Sequence, residues 1–372
     1  MPRPWILPLL LALSLPAAPG EAARKLPVTL AHASRQLATG VTHTYLKRKT
    51  AAGPMAVHVL RVDPRLVTIR SLMATRPGGG FGRAPVSAIA RAYGAIAAVN
   101  GSFFSFKSNE PTSLLLVEGQ IVSSSPYERS VFGIRYDGST FIDDARIHAA
   151  VLLDDGRELG ISRVNHQAKP NELTLYTPHY GPVTRTRIEP FRYEAAIDHD
   201  GTVIAVSNGN MPIPRGGYVI SGNGWSYRTL VGALAPGSRA LVYTRLPERW
   251  EGVRYAVGGG PTILRNGQVH VTAAREGFDH HIASGRAPRT AIGYTASGQA
   301  VMITVDGRQP KHSVGCTLSE LARLMREMGA IEAINLDGGG SSTMVVGGKA
   351  VNKVSGGAER LVSNAIGVFP LD

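Results

Sequence analysis

The sequence predicts a mixed α/β (α+β) fold with a sheet core and few helices, and three observations point there. Strand-length apolar runs bounded by Gly, Pro, Asn and Asp recur from Val41 to the end of the chain. Helical periodicity is confined to two short stretches, at 85–93 and 317–328. The second of these lies between two apolar strands, each of which ends in an aspartate.

In chain order, residues 1–23 carry Arg3, an apolar run from Trp5 to Leu15 and then small residues, the pattern of a secretory leader. The run is too short to span a bilayer and nothing later resembles a transmembrane helix, so the expected location is outside the cytoplasm, extracellular or periplasmic. Residues 24–372 are read as one domain. MAVHVLRV and LVTIRSL read as strands joined at Asp63-Pro64, and residues 85–93 as a short helix that Gly94 ends. Residues 95–99 form a strand that runs out into Asn100, Gly101 and Ser102. Asn100 is placed to hydrogen-bond a sugar hydroxyl, with an Asx turn as the alternative. A faint repeat relates PTSLLLVEGQIV (111–122) to PTILRNGQV (261–269), which suggests two weakly related halves. Between them, residues 140–255 alternate short β-like runs with turns and form a β-rich region without a motif. Its tips Asn165-His166 and His179-Tyr180 either reach the cleft or are loop decoration, and decoration is the favoured reading.

The stretch 334–343, INLDGGGSST, is the most informative. Alternation puts Asn335 and Asp337 on one side of a strand end. Gly338, Gly339 and Gly340 then offer backbone without Cβ atoms, and Ser341, Ser342 and Thr343 offer hydroxyls, a combination suited to a site for an anion. Upstream, VMITVDGR ends in Asp306 and Arg308, and Thr317 and Glu320 form a capping box for an apolar-faced helix. Strand, helix and strand in this order read as a crossover between neighbouring parallel strands, with both aspartates at one carboxyl edge. In GRAPRTAIG (285–293), Arg286 and Arg289 present guanidinium forks suited to phosphate.

The formal charge of +13 favours polyanionic partners, yet Lys and Arg form no block and no aromatic-interleaved stripe, so a dedicated nucleic-acid module is not expected. Cys316 is the one cysteine, which rules out an intramolecular disulfide, and it reads as a small buried hydrophobe. His280-His281 lacks any zinc-ligand spacing. No cofactor is required, while a loop-held, oxygen-ligated cation such as Ca²⁺ stays open.

RAPRTAIG, VDGR, TLSELARLM, INLDGGGSST and the closing RLVSNAIGVF, with AAVNGSFF and PTSLLLVEGQIV before them, resemble the phosphodiester glycosidase family in this order over roughly residues 40–370. The resemblance implies a compact α/β domain that hydrolyses the bond between a sugar's anomeric carbon and a phosphodiester. Asn364, in the closing stretch, joins the binding candidates. With one cysteine, the chain departs from the Cys-rich accessory regions of the family's animal members, so their targeting and substrates are not carried over. Asp337 is then the first candidate for nucleophile or base, Asp306 its partner and Glu110 an alternative second carboxylate. Arg286, Arg289, Arg308 and the amides after Asp337 are candidates for stabilising the leaving phosphodiester. The expected substrate is an anionic glycan or cell-envelope polymer. Two rival readings are a non-catalytic binder of envelope glycopolymers and a phosphodiesterase that cuts at phosphorus.

Overall fold

The computed structural model describes residues 28–124 and 127–371. The leader expected at 1–23 lies outside the described residues. The chain is richer in strand than the α/β expectation implied, with few and short helices.

The largest sheet has eight strands, in the spatial order Val28–Ala38, Val41–Thr50, Gly53–Val62, Ala300–Val305, Arg289–Thr295, Ala330–Asn335, Thr262–Arg265 and Gln268–Val269. Helix Leu318–Glu327 covers one face, where Leu318, Leu321, Leu324 and Met325 pack on Val57, Ile303 and Ala333. From the other face Leu60, Ile292, Met302 and Ile334 enter a core shared with Val99, Phe132, Tyr255 and Ile366. Because both faces are covered, Ala300–Val305 is buried at every position, and its sequence is apolar except at Thr304 and does not alternate. The helix begins as expected: the Glu320 amide donates to the Thr317 hydroxyl, and the Thr317 amide to the Glu320 carboxylate.

The expected crossover needs one correction. Ala300–Val305 and Ala330–Asn335 are not neighbours, because Arg289–Thr295 lies between them, antiparallel to both. The tight turn at 295–299 folds that strand back beside its successor and fills the slot before the helix returns. The two flanking strands still run the same way, which brings the backbone at Asp306 and Asp337 to one edge of the sheet.

A second sheet contains Met344–Val346, Ala97–Asn100, Asn364–Pro370 and Val67–Met73. Helix Val86–Tyr93 packs on it and ends at Gly94 in the left-handed region, φ 74°. The two repeated segments are both hairpins, Leu115–Val117 with Gln120–Ser123 and Thr262–Arg265 with Gln268–Val269. Their turns match: φ is 50° and 75° at Glu118 and Gly119, and 49° and 70° at Asn266 and Gly267. Positive φ at both central residues suits the twist of a two-residue hairpin. The β-rich middle forms two sheets around a core of its own, which includes Val151, Leu175, Ile197 and Ile220.

Candidate functional site

Strand Ala330–Asn335 runs out through Leu336 to Asp337, and three backbone bonds fix where that carboxylate stands. The Leu336 amide donates to Thr290 O at 2.8 Å, the Asp337 amide to Gly101 O at 3.1 Å and the Gly339 amide to Pro288 O at 2.8 Å. The turn is therefore held between the end of one strand and the start of another. Asp337 is half-buried. Burial raises its carboxyl to about 6, against the opposing pull of the Ser341 hydroxyl, the Gly338 amide and the Arg360 charge. A carboxyl poised there exchanges a proton near neutral pH, which suits acid–base work.

Two guanidinium groups enclose the glycine turn. Arg308, itself at φ 59°, lies against Gly339, where a Cβ would stand 3.1 Å from Nη2. A Cβ on Gly340 would overlap the Arg360 guanidinium, whose Nη1 donates to Ser341 Oγ at 3.3 Å. Gly339, at φ 61°, takes a backbone conformation that favours glycine, and both glycines let a cationic side chain lie close against the turn. Neither Arg308 nor Arg360 forms an ion pair with a carboxylate among the described residues, although the Arg360 charge acts on Asp337. Phe106, 62% exposed, adds a ring beside them. The Arg360 and Arg83 guanidinium carbons lie 5.6 and 5.8 Å from its centroid.

Several residues expected at the site are committed elsewhere. Asp306 is 1% exposed, and its carboxylate accepts from His312 Nε2 at 2.7 Å, Asn352 Nδ2 at 3.0 Å and the Lys353 amide at 3.1 Å. It is sealed behind the turn, tied to it through Asn352, which also donates to Ser342 O. Asp306→Ala is expected to destabilise the fold by roughly 3 kcal/mol in urea unfolding, because three donors lose a buried charged acceptor. Arg286 bonds Gly315 O and Glu320, and Arg289, 4% exposed, donates to the carbonyls of Ile282, Gly285 and Cys316. Both arginines act as struts for the loop before the strand.

Asn100 is a bracket as well. It donates to Asp337 O at 2.7 Å and accepts from Thr290 Oγ1 and the Thr343 amide. Asn364 is spent on Ser102 and Ser363. Asn335 Nδ2 donates to Gly260 O and Leu336 O, and its Oδ1 is buried without a partner. Ser342 and Thr343 point their hydroxyls into the interior, so Ser341 alone of the three faces Asp337. The turn amides are largely engaged too: Gly338 N on Asp337 Oδ1, Ser341 N on Gly338 O and Ser342 N on Gly339 O. The amides of Gly338, Gly339, Ser341 and Ser342 are therefore already spent within the fold, and the open side of the turn is lined by the arginines.

Glu110 is 7% exposed; His166 Nδ1 lies 3.4 Å from its Oε1, and its Oε2 has no partner. The tips His166 and Tyr180, read from sequence as decoration, in fact converge on it, and burial followed by the Glu110 charge pushes the Tyr180 hydroxyl to about 12. Cys316 is buried, its thiol pushed up to about 12 by burial, as an inert core residue. Among the described residues no three His, Cys, Asp or Glu side chains are placed to hold a metal, and no helix is long and apolar enough to cross a membrane. Arg360, Arg83 and Phe106 were not singled out from the sequence. Arg360 stood inside the closing RLVSN stretch, but nothing local says that it folds back on glycines twenty residues earlier.

Residues 191–369 match the family model described as phosphodiester glycosidase. Among curated proteins, the SPbeta prophage-derived uncharacterized protein YomE of Bacillus subtilis is 44% identical over 86 residues, 23% of this chain and 13% of that protein. The human N-acetylglucosamine-1-phosphodiester alpha-N-acetylglucosaminidase is 32% identical over 95 residues, 23% of this chain and 18% of its own length. The matched segment is thus less than a fifth of either relative. Among solved structures, a hypothetical protein from Synechocystis is 26% identical with a TM-score of 0.81, over 92% of this chain and 64% of that one. A protein from Burkholderia pseudomallei K96243 is 22% identical with a TM-score of 0.79, over 93% and 97% of the two chains. The zebrafish catalytic domain of N-acetylglucosamine-1-phosphodiester alpha-N-acetylglucosaminidase, auto-inhibited by its pro-peptide, shares the fold at a TM-score of 0.53 and 16% identity, over 92% of this chain and 89% of that one.

Proposed function

We propose that this chain, a relative of the phosphodiester glycosidases over residues 191–369, hydrolyses sugar-1-phosphodiesters at the anomeric carbon. The observation that carries the reading is a half-buried carboxyl poised at about 6 beside two arginines that form no ion pair among the described residues. In this reading Asp337 takes a proton from a water as that water attacks the anomeric carbon. The bond from carbon to the phosphate oxygen breaks, and the electron pair leaves with the phosphate. Arg308 and Arg360 stabilise the added negative charge. A phosphate leaves without prior protonation, so one open carboxylate suffices. A sealed Asp306 is compatible with that, because direct attack by water needs a base and no second nucleophilic carboxylate.

The sugar ring rests on Phe106, whose exposed face suits the apolar side of a pyranose. Direct attack by water inverts the anomeric centre. In ¹⁸O water, label should therefore appear in the released sugar, and NMR of the first product should show the opposite anomer. Label in the phosphate would transfer the chemistry to phosphorus and overturn the reading. Export from the cytoplasm, expected from the leader pattern of residues 1–23, supports an envelope glycopolymer as the substrate.

A further inference from the structure

A second pair of arginines stands beyond Phe106. Arg76 sits in the loop of a short hairpin closed by Thr75 and Phe81, and its Nε donates to Phe81 O at 2.8 Å. Arg185 adopts φ 52°, and its guanidinium lies 5.8 Å from the centroid of Tyr180 and against Gly181, where a Cβ would come within 2.8 Å of Nη2. Gly80, at φ 82°, presses on the Tyr180 carbonyl so closely that no side chain fits between the two loops. Neither arginine has a carboxylate partner among the described residues. Burial, and after it the neighbouring Arg185 charge, holds Arg76 below its ordinary range. Arg76 is partly buried and Arg185 exposed; two like charges brought close repel until an anion joins them, and planar forks are suited to phosphate.

The hairpin connects this pair to the site. It continues from Phe81 to Arg83 beside Phe106, and its next residue, Ala84, bridges to Val362, two residues beyond Arg360. At the rise of an extended chain, Arg83 lies roughly 7 Å past Phe81. On the other side, Glu110 closes the loop that carries Phe106 through a Ser105 amide to Glu110 carbonyl bond of 2.9 Å, and its charge reaches Tyr180. Aromatic ring and cations therefore follow one another from Asp337 outward.

We propose that Arg76 and Arg185 form a second anion subsite, which binds the next phosphodiester of a repeating sugar-phosphate chain while Arg308 and Arg360 hold the one being cleaved. This rests on the glycosidase reading and names its substrate class: a polymer with regularly spaced phosphates. The test is a binding measurement, so it does not depend on turnover. Asp337→Asn protein is titrated by calorimetry with two synthetic ligands, a sugar-1-phosphodiester with one phosphate and its dimer with two. The dimer should bind at least tenfold more tightly. That advantage should vanish in Arg76→Lys/Arg185→Asn, in which Asn tolerates the positive φ and Lys keeps charge without the fork. Equal affinity for the two ligands, or an advantage untouched by the double substitution, overturns the subsite. If Asp337→Asn still consumes the ligands, the catalytic assignment fails while the comparison of affinities, made on intact ligand at early times, still judges the subsite.

Discussion

Asp337→Asn should lower kcat on a sugar-1-phosphodiester by roughly 10³-fold, within the range expected on losing a positioned acid–base group. The carboxylate must be ionised to accept the proton of water, so wild-type kcat/KM should fall as pH drops through about 6. The residual activity of the variant should lose that limb. Stability should move the other way. The folded carboxyl, at about 6, sits above the ordinary aspartate value of 3.8. The folded state therefore holds that proton more tightly, and the stabilisation, complete below the unfolded value, is lost as pH rises through 6. Removing the charge should then stabilise the protein at pH 7 by on the order of 1 kcal/mol, read as a raised melting temperature. A slow but more stable variant is what a catalytic carboxylate held in a desolvated place predicts. Near-wild-type turnover would remove Asp337 from the mechanism, whatever the melting curve shows.

Arg308→Ala and Arg360→Ala should each lower kcat by roughly 10²-fold, because charge builds on the leaving phosphate only as the bond breaks. The two effects should not add, since in this reading both groups, set against adjacent glycines of one turn, serve the same leaving phosphate. Arg308 has no other hydrogen-bond partner among the described residues, so its removal should leave stability unchanged. Arg360 also bonds Ser341 and lies over Phe106. Its loss should therefore perturb sugar binding and raise KM as well. A lysine at 308 should restore part of kcat through charge alone, which a purely structural arginine would not allow. Wild-type kcat in both alanine variants would leave the leaving group without its stabiliser and sink the assignment.

Gly339 and Gly340 sharpen the same point. Alanine at 340 would press on the Arg360 guanidinium, so the side chain would have to leave the turn. The DGGG run marked this place in the sequence because glycine leaves room for a close approach, but the sequence did not say what approached. The expectation of bare amides was natural for a glycine run. In the fold, those amides bond Asp337, Pro288 and one another, and the arginines occupy the open side.

Local patterns in the chain were sufficient for part of the elements; helices Trp225–Val231 and His280–Ser284 and strand Val28–Ala38 went unread. The Thr317 and Glu320 capping box, the helix ended by Gly94, the two matching hairpins and the strand that carries Asp337 each depend on neighbours a few residues apart. Short-range sterics and hydrogen bonds decide those, so composition and spacing reveal them. Tertiary structure alone decided which polar groups are spent on the fold and which are left open. Asp306 and Asp337 both end apolar strands in the sequence, yet His312, Asn352 and Lys353 close over the first and leave the second half open. Arg286 and Arg289 point at carbonyls, while Arg360, Arg83 and Phe106 meet from segments more than 250 residues apart at the extremes. Whether a charge is consumed or available depends on partners brought by the long-range sheet register, and no periodicity along the chain encodes that meeting.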